Sequence, residues 1–138
     1  MENTLTDIAL GDMMWFRLLA GLLVGLALGS FITMLSYRLP RHLSIISPPS
    51  QCPKCHATLK PRDLVPVLSW LIERGHCRHC HAAISRRYLV IEVATTLAVV
   101  AAFWRFGFTP HLIAALIGIV SFITLVFINY ERHRSGWR

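Results

Sequence analysis

The chain has 138 residues, the size of one domain; 54% of them are hydrophobic, 15% are charged, and the mean hydropathy is +0.53. That composition excludes a disordered tail, a collagen-like fibre and a small disulfide-stapled toxin. Fourteen Lys+Arg against seven Asp+Glu give a formal charge of +7, with seven His besides, so nucleic acid and anionic lipid are the partners to weigh, and the placement of the charges must decide between them.

Residues 1–17 carry Glu2, Asp7 and Asp12, with Arg17 as their only basic residue. Residues 18–37, LLAGLLVGLALGSFITMLSY, run without a charge and at 1.5 Å per residue reach ~30 Å, the thickness of the hydrocarbon core. They predict a first spanning helix, with residues 1–17 as an extracytoplasmic segment. A cleaved signal peptide, suggested by Arg17 ahead of an apolar stretch that includes Ala27-Leu28-Gly29, is the weaker reading: the acids make a poor n-region and the apolar run continues past that site. Gly21, Gly25 and Gly29 recur every four residues and so share one helix face. Such a face admits another backbone closely, either a later span of this chain or a second copy in a homo-oligomer.

Residues 38–87 form a polar loop. Residues 88–104 are a second predicted span, with one acid, Glu92, four positions in; residues 105–111 are a short outer link; residues 112–130 are a third span; and residues 131–138 are a tail. Nine of the fourteen basic residues, Arg38, Arg41, Lys54, Lys60, Arg62, Arg74, Arg78, Arg86 and Arg87, lie in the loop, Arg132, Arg134 and Arg138 follow the third span, and only Arg105 sits in the link. The positive-inside rule therefore puts the N-terminus outside and both the loop and the C-terminus in the cytoplasm. The basic excess is first a topology signal. It shows no basic stripe interleaved with aromatics, so nucleic acid is not the expected partner.

All four cysteines fall in the loop, as Cys52-Pro-Lys-Cys55 and Cys77-Arg-His-Cys80, 21 residues apart. A tetrahedral zinc ion takes two thiolates from each of two tight turns, and two intervening residues let both sulfurs of a turn face one point. A loop this short has little core of its own, so the metal would supply much of its folding free energy. Lys54, Arg78 and nearby histidines are placed to offset the −2 charge of such a centre. Two disulfides would need an oxidising compartment. The competing reading is haem, because Cys55-His56 and Cys80-His81 complete two C-x-x-C-H patterns and a dihaem electron carrier would look similar; covalent haem attachment belongs to the outer side of the membrane. His56, His76, His79 and His81 are otherwise solvated, or stand-ins for a cysteine ligand.

The stretches Gly29-Ser-Phe through Arg38-Leu-Pro40, Gln51-Cys-Pro-Lys-Cys55, Asp63-Leu-Val-Pro66, Arg74-Gly-His-Cys-Arg-His-Cys80 and Ser85-Arg-Arg-Tyr88 through Glu92 resemble the N-terminal part of the type IV prepilin peptidase/N-methyltransferase family. The resemblance implies a multi-span α-helical inner-membrane protein with a cytoplasmic zinc loop, linked to pilin or pseudopilin processing in type IV pili or type II secretion. It further implies a peptidase using two carboxylates, the second in a G-x-G-D motif, because one must act as base while its protonated neighbour polarises the carbonyl. Here Asn129 stands where the first aspartate would fall, an amide cannot take up that proton, and no G-x-G-D occurs in these residues. Glu131 is two residues on and points from another helix face.

The resemblance also implies methylation with S-adenosylmethionine, although no nucleotide-binding element is recognisable in the residues themselves. Glu92 matches a family glutamate, so it is a candidate for the methylation site or for holding the loop; the plainer alternative is an interfacial acid paired with Arg86 or Arg87. The expected fold is thus all-α, with three transmembrane helices and a zinc knuckle between the first two. The expected function is a family member without its own peptidase acids. It would then work through methylation, through a separate peptidase subunit, or as a non-enzymatic scaffold whose zinc loop docks another protein.

Overall fold

The computed structural model describes the backbone of residues 2–47 and 49–135 and the side chains of residues 13–47 and 49–133. The side chains of Glu2, Asp7, Asp12 and Arg134, and all of Arg138, lie outside those described. Four α-helices occur in chain order: α1 (Glu2–Arg38), the one-turn α2 (Leu68–Ile72), α3 (Arg86–Phe106) and α4 (Pro110–Ser135), with 3-10 turns at Leu39–Arg41 and Pro61–Leu64. Three segments, Met13–Arg41, Arg86–Phe106 and Pro110–His133, are long and apolar enough to cross a membrane. No strand forms among the described residues, and the four cysteines sit between the first two spans. The all-α, three-span architecture expected from the hydropathy pattern is the one found.

Local chemistry sets the helix ends. Pro40 has no N–H to continue α1, and the chain leaves through a 3-10 turn whose Arg41 guanidinium donates to the Tyr37 carbonyl at 3.0 Å and lies 4.1 Å over the Tyr37 ring. Ser85 caps α3 by accepting the Arg87 N–H at 3.3 Å. At the other end Gly107, with φ +56°, ends α3 by donating its N–H to Phe103 O. Pro110 then opens α4 at the first helical position, where its missing N–H costs nothing. The Arg17 guanidinium lies against Gly107, 2.9 Å from where a Cβ would stand, and so beside the negative end of the α3 dipole.

The glycine face is used within the chain. Gly21 meets Val100 and Phe103, Gly25 meets Thr96, and Gly29 meets Glu92, an antiparallel register that brings the α1 and α3 backbones together. All three glycines are buried against α3, so a homo-oligomer would not find them open. Ile32, Ile91, Thr95, Val99 and Ser36 fill the rest of the seam. Three of its hydroxyls are satisfied within their own helices, Thr33 Oγ1 on Gly29 O at 2.8 Å, Ser36 Oγ on Thr33 O at 3.0 Å and Thr96 Oγ1 on Glu92 O at 2.7 Å, as hydrocarbon favours, while the buried Thr95 Oγ1 makes no hydrogen bond among the described residues. α4 packs through Leu112, Ala115, Leu116 and Ile119. Its outer face, with Ile113, Ile117, Phe122 and Leu125, is exposed, a pattern suited to lipid and not to water.

A Cβ on Gly25 would stand 2.8 Å from the Thr96 Cα, where backbone must move, whereas one on Gly118 has nothing within 4 Å. Gly25→Val is therefore expected to cost about 1–3 kcal/mol, and Gly118→Ala to be neutral or stabilising by up to about 1 kcal/mol. Thermal unfolding of the two variants in detergent checks the difference.

Candidate metal centre

The two cysteine turns are built alike. In the first, Cys52 N–H donates to Ala57 O at 3.0 Å and His56 N–H to Cys52 O at 2.9 Å; in the second, Cys77 N–H donates to Ala82 O at 2.9 Å and His81 N–H to Cys77 O at 2.9 Å. An antiparallel bridge closes each, Gln51 with Thr58 and His76 with Ala83. The residue after each second cysteine takes a left-handed backbone, His56 with φ 56° and His81 with φ 52°. In each turn the first cysteine is buried and the second exposed.

The turns face one another, and all four Sγ atoms lie within 4.8 Å of one another. Across the turns, Cys52 Sγ is 3.8 Å from Cys80 Sγ and Cys55 Sγ is 4.0 Å from Cys77 Sγ. A tetrahedral ion with metal–sulfur bonds of ~2.3 Å separates its sulfurs by ~3.8 Å, so the cluster fits zinc. Cys52, Cys55, Cys77 and Cys80 could thus hold a metal ion together. None of the loop histidines belongs to the cluster among the described residues; His56, His79 and His81 are exposed and His76 Nδ1 is 2.8 Å from Arg74 O. Sulfurs converging on one point match a shared ion and not two separately attached haems.

Hydrogen bonds pull the thiols apart electrostatically. The Cys55 N–H, helped by that of Lys54 and by neighbouring thiols, outweighs burial and lowers the Cys52 thiol to about 6. At Cys55 the Ala57 N–H pulls the other way, but desolvation and the surrounding sulfurs Cys80, Cys52 and Cys77 together raise the thiol to about 11.

The left-handed residues give a test. Glycine adopts that backbone freely while histidine pays roughly 1–2 kcal/mol. His56→Gly and His81→Gly are expected to keep the metal and raise the stability of the loop by roughly 0.5–1 kcal/mol each, measured as metal content and resistance to chelator. Metal loss in either variant would make the histidine a ligand.

Arg78 has acid partners that its place in the sequence does not announce. Its Nη2 is ion-paired with Glu73, its Nε lies 3.4 Å from Asp63 Oδ1, and Asp63 Oδ2 accepts the Lys60 N–H at 3.0 Å. Arg78 thereby straps the second turn to the segment around α2. Glu92 differs as well. The expectation of a pair with Arg86 or Arg87 is corrected: Arg87 goes to Glu131, and Glu92 Oε2 accepts the Val67 N–H at 2.6 Å. That bond ties the loop to α3.

The roles of two residues escaped the sequence reading. Glu131, near the end of α4, is buried and accepts from Arg41 Nη2 at 2.9 Å and from Arg87 Nη1, joining the loop-side ends of α1, α3 and α4. Its signal was an acid in the last turns of a span, where burial demands a cation. Val67 adopts φ 62° and ψ −51°, a strained γ-turn closed by Leu68 N–H on Pro66 O at 2.6 Å; nothing in the sequence announces it. Asn129 is exposed on α4, on a different face from Glu131 as the helical spacing required.

A multi-pass helical membrane protein with a four-cysteine cluster that could hold a metal ion between its first two spans is thus the class that fold and site define. The sequence model described as the bacterial peptidase A24 N-terminal domain matches residues 23–106. The chain belongs to that family, the prepilin leader peptidase/N-methyltransferases. Among curated relatives of that name, it is 43% identical to one from Bacillus subtilis (strain 168) over 104 residues, covering 75% of this chain and 40% of the relative. It is 39% identical to one from Myxococcus xanthus over 108 residues, covering 78% and 32%. With one from Legionella pneumophila it shares 34% over 140 aligned residues, covering 85% and 49%. The chain therefore spans about a third to a half of the length of these relatives. No solved structure matches it.

Proposed function

We propose that the chain acts in pilin or pseudopilin processing as the module that holds zinc on Cys52, Cys55, Cys77 and Cys80 and fixes the loop against the membrane, while the carboxylates for leader cleavage come from outside these 138 residues. The observation that carries this reading is the pair of matched turns converging on one point and hung from α3 through Val67 and Glu92, within the region that matches the family. Positive charge concentrated in the loop supports placing it in the cytoplasm, with the N-terminus outside and the spans in a bacterial inner membrane. Asn129 supports the absence of cleavage by these residues alone: it offers an amide where the resemblance puts an acid. Asn129→Asp is expected to give no leader cleavage by the purified protein, and cleavage on that one change would overturn the reading. Isolation from native membranes is expected to bring down a second polypeptide bearing an acid pair.

Methyl transfer is the second reading, supported by the names of the relatives and by Glu92, which the resemblance puts at a family glutamate and whose carboxylate accepts from the loop at Val67. S-adenosylmethionine would be the donor. Purified, metal-loaded protein, a processed pilin and labelled S-adenosylmethionine decide it. Label on the pilin, lost in Glu92→Gln, supports the enzyme. No label from folded protein leaves a non-enzymatic scaffold.

A further inference from the structure

The loop carries an apolar surface that the metal centre does not use. Leu64, Val65, Leu68, Leu71 and Ile72 are all exposed, Leu68 at 54%, Leu71 at 53% and Ile72 at 72%. Residues 68, 71 and 72 share one face of α2 by helical spacing. The opposite side of the segment is tied down: the Trp70 indole lies against Gly75, and Asp63 and Glu73 are held by Arg78 of the second cysteine turn. In water this much exposed aliphatic surface on nine residues would be a liability.

The Val67–Glu92 bond fixes where the surface sits. Glu92 is six residues into α3, ~9 Å along its axis from Arg86, where the span begins, and its side chain leans back toward the helix N-terminus. The headgroup layer on each side of a bilayer is ~5–8 Å deep. A backbone amide 2.6 Å from the Glu92 carboxylate therefore lies near the boundary between headgroups and acyl chains, the depth at which interfacial helices bury their apolar faces. The strained γ-turn at Val67 delivers the segment to that depth. Arg62 and Arg74 bracket it in sequence and are exposed, Arg62 with its Nε 3.8 Å from Asp63 Oδ1, and exposed cations beside an apolar segment favour an anionic lipid surface.

We propose that residues 64–72 are an interfacial membrane anchor, in which Leu64, Val65, Leu68, Leu71 and Ile72 lie among phospholipid chains on the knuckle side of the bilayer and hold the metal centre flat against the membrane. The inference uses the spanning helices alone and stands whether or not the chain serves pilin processing.

A photoreactive benzophenone side chain in place of Ile72, and separately of Leu68, reports the occupant in metal-loaded full-length protein reconstituted into phosphatidylethanolamine–phosphatidylglycerol vesicles. The same side chain at Ile117 on the outer face of α4 serves as the lipid-facing control and at Lys54 in the first cysteine turn as the aqueous one. Phospholipid-mass adducts at positions 72 and 68 are expected at a yield close to that at Ile117 and several-fold above that at Lys54. Yields no higher than at Lys54 would place the surface in water and overturn the proposal. Adducts to protein would also overturn it, giving the surface to a protein partner or a second copy. Full metal content in each variant shows that the loop is folded.

Discussion

Stripping the metal from the protein is expected to unfold residues 51–85 and leave the three spanning helices standing. The buried hydrophobic cluster, Val99, Ala102, Phe103 and Leu112 with the α1 and α4 side chains around it, lies wholly in the spans. In the loop, by contrast, only Cys52 and Cys77 are buried among the described hydrophobic residues, and the pairing of its described turns amounts to two isolated bridges. A segment with so little core would depend on an ion held by its four cysteines, whose binding is worth on the order of 10 kcal/mol or more in small zinc-dependent folds. Chelation should therefore abolish amide-exchange protection at Cys52, Cys77 and His81 while Ile91, Val99 and Phe103 keep theirs. Cys77→Ala should do the same without chelator. Protection of the loop that survives metal removal would show that the ion is not structural.

The metal should also be released by acid, and the sign follows from the thiols. Cys52, lowered to about 6, is ionised at neutral pH, while Cys55, raised to about 11, still holds its proton. The ion binds thiolates, so it must displace protons, and binding tightens as pH rises through the neutral range. Below about 6 Cys52 takes up its proton too, and retention should fall steeply. Proton release on adding zinc to the stripped protein in unbuffered solution measures the displaced protons.

What could be read from the sequence and what could not divide along physical lines. Span length, the Gly21-Gly25-Gly29 spacing and the two C-x2-C turns are local or periodic patterns, and each meets its counterpart in the fold: helices that can span, a helix face closed by α3, and four sulfurs at one point. The tethers are different in kind. Glu92 with Val67, Glu131 with Arg41 and Arg87, and Arg78 with Asp63 and Glu73 depend on which charged residue arrives beside which after folding. Glu92 was recognisable as an acid in need of a partner, but a backbone N–H from a strained turn is a partner that residue types do not reveal. The histidines at positions 56 and 81 are a milder case, since C-x-x-C-H also marks haem attachment and only the left-handed backbone shows why another residue type, glycine, would suit the place.

Glu131→Leu is expected to destabilise the helical bundle by about 3–5 kcal/mol, because it removes the buried acid that Arg41 and Arg87 share. The Glu131 side chain is 9% exposed and that of Arg87 8%, whereas Arg41 at 28% can still reach water and keeps its bond to Tyr37 O and its place over the Tyr37 ring. Arg87, which lies 5.2 Å from the Tyr88 ring centroid, is the less exposed of the two cations. Removing that charge together with its acid should recover much of the loss, as replacing buried ion pairs with apolar side chains often does. The double variant Arg87→Leu/Glu131→Leu is expected to be more stable than Glu131→Leu alone, with a coupling energy of about 1–3 kcal/mol in a thermal double-mutant cycle in detergent. Simple additivity of the two changes would show that the cluster is solvated and that α1, α3 and α4 are held at this end by apolar packing instead. The position of Asn129 sharpens the point. Two residues from this clamp, on the exposed side of α4, an acid would face outward from the three-helix bundle, so Asn129→Asp should leave the clamp's own ion pairs in place.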